Sequence, residues 1–273
     1  GFSGDIQGGR TALLQLLLDG SDSNTARIAG EYAGRIIQAF STDILQMLQA
    51  RRLGRSIPPD PIRIETRAWF NENLESRNFY IPGVVASLLA LITLVLTSMA
   101  IVREKEVGTM EQIIATPIRQ IEFILGKTVP FAIIGYLDAT LIAIAGVYWF
   151  EVPMRGNILL LFLGVSLYLM STIGVGLLIS SLSRTQQQAM MATFFFFNPA
   201  MLLSGFVFPI ANMPTPIQWL TYANPLRYIL IIARGIFLKG IGFNILWPHM
   251  LALLILGILT LGFATLRMRK TIS

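Results

Sequence analysis

Residues 103–122 read REKEVGTMEQIIATPIRQIE, a charged stretch set between two long apolar runs. The run before it, residues 81–102, carries no formal charge over 22 residues, enough to cross about 30 Å of hydrocarbon as a helix. The run after it, residues 129–149, is apolar apart from Asp138. A tight turn between two membrane helices needs only a few polar residues. This chain places twenty there with amphipathic spacing, which predicts a helix at the membrane surface, offered to a soluble partner.

Composition agrees with a membrane protein. Hydrophobic residues make up 54% of the 273 and charged ones 13%, with a mean hydropathy of +0.64. A soluble chain carries about 25% charged residues. Residues 1–80 hold nine Lys/Arg and nine Asp/Glu, so the net charge of +6 lies wholly in residues 81–273. That distribution argues against nucleic acid as a partner, which calls for a basic soluble face. It fits basic residues at cytoplasmic helix ends. There is no cysteine, so disulfides and thiolate metal sites are excluded.

Residues 1–80 read as a small mixed α/β domain. ALLQLLL at 12–18 is a short apolar run closed by Asp19-Gly20 and predicts a buried strand. Ser23 or Asn24 can cap a helix to about Arg52, on which Ala26, Ala29, Ala33, Ile36, Ile37, Phe40, Ile44 and Met47 form one apolar stripe. Pro58, Pro59 and Pro61 end it, and residues 62–70 alternate apolar with polar as in a half-buried strand. Five membrane spans are expected after this domain, at residues 81–102, 129–149, 158–182, 189–208 and 243–266. Residues 209–242 carry four prolines among aromatics and predict short re-entrant or interfacial helices on the outer side.

Orientation follows from the loops. Arg103, Lys105, Arg119, Lys127, Arg184, Arg267, Arg269 and Lys270 fall on one side, and Arg155, Arg227, Arg234 and Lys239 on the other. The first side is cytoplasmic by the positive-inside rule. Residues 1–80 are then extracytoplasmic, and a domain outside needs a preceding span to carry it across. Six spans are expected in the complete protein.

No enzyme signature emerges. The sole histidine, His249, sits at the start of the last span with no carboxylate in the same apolar segment, and it reads as an interfacial anchor. Gly126-Lys127-Thr128 looks like the end of a phosphate-binding loop, but position 121, where that loop needs glycine, is Ile. Asp138, the one carboxylate in the middle of a span, calls for a partner inside the bundle. A hydrogen bond to Ser171 or Thr172 is the plainer expectation, and a substrate or ion path the other. The aromatic run 194–197 with Asn198-Pro199 could line a cavity, Phe196 and Asn198 included, or pack against lipid or another subunit. Ser171, Gly174, Gly176 and Ser180 give a small-residue face for close helix contact.

The pattern Glu104-x-Glu106-x-Gly108-Thr109-Met110-Glu111, then Thr116-Pro117, Glu122, Gly126-Lys127 and Pro130, resembles the cytoplasmic signature of ABC-2 type transport permeases, in particular the bacterial multidrug type. Asp19-Gly20-Ser21-Asp22, Gly205-Phe206-x-Phe208-Pro209 and Asn224-Pro225-Leu226-Arg227-Tyr228 extend the similarity over nearly the whole chain. The resemblance implies a six-helix permease subunit of the bacterial inner membrane, exporting drug-like or hydrophobic substrates, with residues 1–80 in the periplasm. It implies no catalytic residue or cofactor in this chain: ATP and magnesium would sit on two partner ATPase subunits. A second permease, identical or paralogous, would complete the core, with room for a periplasmic adaptor. Glu104, Glu106, Gly108, Thr109, Glu111, Thr116 and Pro117 would form the coupling segment on the ATPase, its acids steering the contact, Gly108 allowing a bend and Pro117 stopping the helix. Export of lipid-linked or polymeric cargo, and a scaffold or sensor through which nothing crosses, are the competing readings.

Overall fold

The computed structural model describes residues 1–7, 11–51, 62–110, 112, 116 and 119–272. The chain divides into two compact units, residues 1–79 and 80–273. In the first, α1 (Phe2–Gln7) precedes β1 (Ala12–Asp19), α2 (Ser23–Arg51) and β2 (Ile62–Trp69). The strands pair in parallel, Ala12 opposite Ile62 through Asp19 opposite Trp69, with α2 as the crossover that parallel pairing requires. Asp22, rather than Ser23 or Asn24, caps α2: its carboxylate accepts from the amides of Asn24 and Thr25, each at 3.1 Å. β1 is not buried as expected. Its burial alternates, leaving Leu13 67% and Leu17 54% exposed, because α2 packs on one face of the two-stranded sheet and the described residues leave the other uncovered. The α2 stripe divides likewise: Ala26 and Ile44 are buried, whereas Ile36, Phe40 and Met47 are exposed.

Gly20 shows why a turn glycine stands after β1. A Cβ there would lie 2.8 Å from the carbonyl oxygens of both Trp69 and Asn71. Asn71 in turn pins the following loop, accepting from the Glu75 amide at 3.0 Å and donating to the Glu75 carbonyl at 2.9 Å. Gly20→Ala is expected to cost about 2 kcal/mol through this clash. Limited proteolysis should then cleave residues 1–79 faster than in the wild type, and equal rates would refute the close approach.

The second unit contains α3 (Ser76–Val107, from residue 80 onward), α4 (Gln120–Tyr148), α5 (Ile158–Leu182) and α6 (Gln186–Leu202). α7 (Thr215–Leu220), α8 (Pro225–Arg234), a π-turn at Gly235–Lys239 and α9 (Phe243–Ile272) follow. Among the described residues four helices are long and apolar enough to cross a membrane: Ser76–Val107, Glu122–Tyr148, Ile158–Leu182 and Phe243–Arg267. The stretch expected as a span at 189–208 forms the 17-residue α6, which stops at Leu202. Turns follow it, and Gly205 takes a φ of +82°, a conformation open to glycine.

α5 is the centre of this unit, and its small residues explain why. A Cβ on Gly174 would lie 2.7 Å from the Leu261 amide nitrogen of α9, and one on Gly176 would lie 2.7 Å from Thr97 Cβ of α3. Two backbones therefore approach α5 from different sides, as small residues permit. Ser171 donates to the Leu253 carbonyl of α9 at 3.0 Å. Ser180 Oγ accepts from the amides of Ile101 and Val102 of α3, both at 3.0 Å. Tyr168, Leu169 and Leu177 of α5 are buried with Ile229, Leu230 and Ile232 of α8 and Leu246 and Leu253 of α9. Apolar residues that stay exposed, such as Ile133, Leu137 and Leu141 on α4, form the surface that hydrocarbon would cover.

Candidate functional site

The residues expected to form a separate surface helix begin instead as the last turn of α3. That helix runs without a break through Glu104, Lys105 and Glu106 to Val107, because nothing in VREKEV interrupts it. Gly108 then takes a φ of +83°, which ends the helix and turns the chain. Successive helical residues point about 100° apart, so three in a row fan over more than half of the helix circumference.

Each of the three reaches a different helix. Glu104 Oε1 receives the Lys127 ammonium of α4 at 2.6 Å, and its Oε2 receives the Thr109 hydroxyl. Lys105 Nζ donates at 3.0 Å to the carbonyl of Ser181, in the last turn of α5, where helix carbonyls lack partners and cations are favoured. Glu106 Oε2 accepts at 2.9 Å from the amide of Gln186, the first residue of α6, where a negative charge is favoured. Thr185 completes that end by accepting from the Gln188 amide at 3.2 Å. At the start of α4, Glu122 accepts from the Arg119 amide at 3.0 Å.

The structure thus joins Glu104 to Thr109 directly and places Glu106 one residue after Lys105 on the same turn. Thr116 is exposed, and Glu111 and Pro117 lie outside the described residues. Lys105, Lys127 and Gln186 were not among the expected coupling residues. No sequence spacing announces the Glu104–Lys127 pair, which depends on α3 and α4 lying side by side. Removing the Glu106 contact with Glu106→Ala should cost about 1 kcal/mol, the usual worth of a helix cap. Thermal unfolding in detergent should show the loss. Unchanged unfolding would mean that the contact carries no stability.

Among the described residues no hydrogen bond links the expected path residues Asp138, Phe196 and Asn198. Asp138 is half-buried and its Oδ2 is enclosed with no hydrogen-bond partner among the described residues. The expected bond to Ser171 or Thr172 is absent: Ser171 donates to the Leu167 and Leu253 carbonyls, and Thr172 to those of Tyr168 and Leu169. Phe196 and Asn198 are exposed on α6, and Asn198 donates to the Phe194 carbonyl at 3.1 Å within its own helix.

The remaining family-like motifs have structural roles. Asn224 caps α8 by accepting from Leu226 and donates to the Ala200 carbonyl of α6 at 2.6 Å, while Pro225 fills the first helical position. Arg227 bonds Thr221 and lies 4.1 Å over the Tyr222 ring. Phe206 packs against Gly83 and sets its ring edge-on to Tyr80 at 6.1 Å. His249 lies 6.2 Å from the Tyr228 ring, centre to centre.

Comparison with known proteins agrees with this architecture. A family model described as ABC-2 family transporter protein matches residues 1–266. The chain is 35% identical over 255 residues to the probable multidrug ABC transporter permease YbhR of Escherichia coli (strain K12), covering 93% of this chain and 67% of that relative. It is 37% identical over 264 residues to the probable multidrug ABC transporter permease YbhS of the same strain, covering 96% and 68%. With the inner membrane transport permease YhhJ, also of that strain, identity is 30% over 277 aligned residues, covering 100% of this chain and 71% of the relative. The chain therefore belongs to the ABC-2 transporter family and is a membrane-embedded transport permease chain.

Proposed function

We propose that this chain is the main membrane portion of an ABC exporter permease. It moves drug-like or hydrophobic molecules outward with energy from ATP hydrolysed on two separate subunits. In this reading the membrane is a bacterial inner membrane, residues 1–80 are periplasmic, and a second permease, identical or paralogous, faces this one. A periplasmic adaptor is a further candidate partner, and ATP and magnesium belong to the ATPase.

The observation that carries the reading is the last turn of α3. Glu104, Lys105 and Glu106 tie this turn to α4, α5 and α6. A displacement of the segment after Gly108 would be delivered to three helices at once. A closing ATPase could bias the bundle only by contacting its two states differently, and a turn bonded to three helices is a place where such a difference can act. Residues 103–122, with Glu111 and Pro117 among them, form the docking surface in this proposal. Asp138, Phe196 and Asn198 are proposed to face the path. The enclosed Oδ2 of Asp138 supports this, since a carboxyl in a membrane helix is costly unless used.

Co-reconstitution of the full-length permease with its ATPase in vesicles tests the proposal. ATP-dependent accumulation of a hydrophobic dye is expected. ATP hydrolysis with no flux of any dye would favour a scaffold or sensor instead.

A further inference from the structure

A pocket of about 480 Å³ opens beside the same turn of α3, between α3, α4 and the start of α6. Leu96, Met99 and Phe131 line one part, and Arg103, Lys127 and Gln186 another. Leu96 and Arg103 are seven residues apart on one helix, about 10 Å along its axis, so the pocket is apolar toward the membrane interior and charged at its mouth. The charge at the mouth is positive. Lys127 and Glu104 neutralise each other, while Arg103 is exposed and makes no ion pair among the described residues. A soluble anion would leave the apolar half facing water. A zwitterionic lipid would bring its own cation toward Arg103.

We propose that this pocket binds an anionic phospholipid, its phosphate at Arg103 and the first part of an acyl chain along Leu96, Met99 and Phe131. The leaflet that supplies the lipid rests on the proposed orientation; the binding itself does not. A lipid there would lie against the Glu104–Lys127 pair, so the membrane's anionic lipid content would act on the turn that joins α3 to its neighbours.

The test uses the full-length protein in symmetric vesicles with Phe131→Trp as a reporter. Emission from the wild-type protein, whose four tryptophans in this chain are unchanged, is subtracted. Brominated phosphatidylglycerol is expected to quench the reporter at about fivefold lower mole fraction than brominated phosphatidylcholine, the preference one basic residue gives at a headgroup. Arg103→Gln should bring the two lipids to within about twofold of each other. Equal quenching by both lipids would overturn the proposal, as would a preference that survives Arg103→Gln. Relief of quenching by inorganic phosphate alone would assign the site to a soluble anion and overturn it equally. Should the reporter variant fail to fold, native mass spectrometry of wild type and Arg103→Gln reads the same preference from retained lipid. No ATPase or transport enters the experiment, so failure of the export reading would leave its result intact.

Discussion

Replacing Gly176 with valine is expected to strain the docking of α3 on α5 and to lower the stability of the folded protein sharply. The site has no room. A Cβ would sit 2.7 Å from Thr97 Cβ and 3.3 Å from the Ser98 amide nitrogen, and the second of these is backbone. Relief requires α3 to move away, which would stretch the 3.0 Å bonds from the Ile101 and Val102 amides to Ser180 one turn further on. Overpacking of this kind costs about 3 kcal/mol, and interhelical hydrogen bonds in membranes add about 0.6 kcal/mol each. Against a total stability of about 5–15 kcal/mol that is a large loss. Gly262→Val in α9 is the control, because a Cβ there meets nothing within 4 Å. Melting followed by size-exclusion chromatography should show a large drop for the first variant and little change for the second. Equal melting of the two would contradict the packing.

Glu104→Lys carries the second large effect. The substitution puts a third cation beside Lys127 and Arg103 and removes the carboxylate that accepts from the Thr109 hydroxyl. Both members of the pair are partly shielded, with side-chain exposures of 20% for Glu104 and 31% for Lys127. Breaking such a pair by reversal costs about 2–3 kcal/mol. If the turn couples to an ATPase as proposed, that is a loss of about tenfold or more in transport. Insertion should be unaffected, since the substituted turn lies beyond the apolar run. The exchange Glu104→Lys with Lys127→Glu rebuilds the pair in the opposite sense and should recover much of the transport. If the exchange is as inactive as the single substitution, Glu104 acts on a partner and the intramolecular account fails.

The membrane class was legible because hydropathy is a bulk property: the long apolar runs appear as α3, α4, α5 and α9. The small residues of α5 were legible too, because only glycine and serine allow the approaches seen at Gly174, Gly176, Ser171 and Ser180. Terminations were harder. Residues 189–208 carry no formal charge, yet the helix stops at Leu202, where the chain turns toward Gly205. The burial of β1 is not legible because a short apolar run cannot say how many of a sheet's faces are covered. In the candidate site, the charges of 103–106 were visible but their partners were not. Lys127, the Ser181 carbonyl and the Gln186 amide are 23, 76 and 80 residues away from the groups they meet. Asp138 is the converse: its identity predicted a partner, and the described residues supply none.

Residues 103–122 are proposed to lie inside the cell and to meet the ATPase. The chain has no cysteine, so Thr116→Cys, at an exposed position, places a single thiol in that segment of this chain. Its labelling by a membrane-impermeant maleimide can be measured in intact cells and in inside-out vesicles, with and without the bound ATPase. No labelling is expected from outside, ready labelling in inside-out vesicles stripped of ATPase, and protection when the ATPase is restored. Labelling in intact cells, or labelling indifferent to the ATPase, would contradict the proposal.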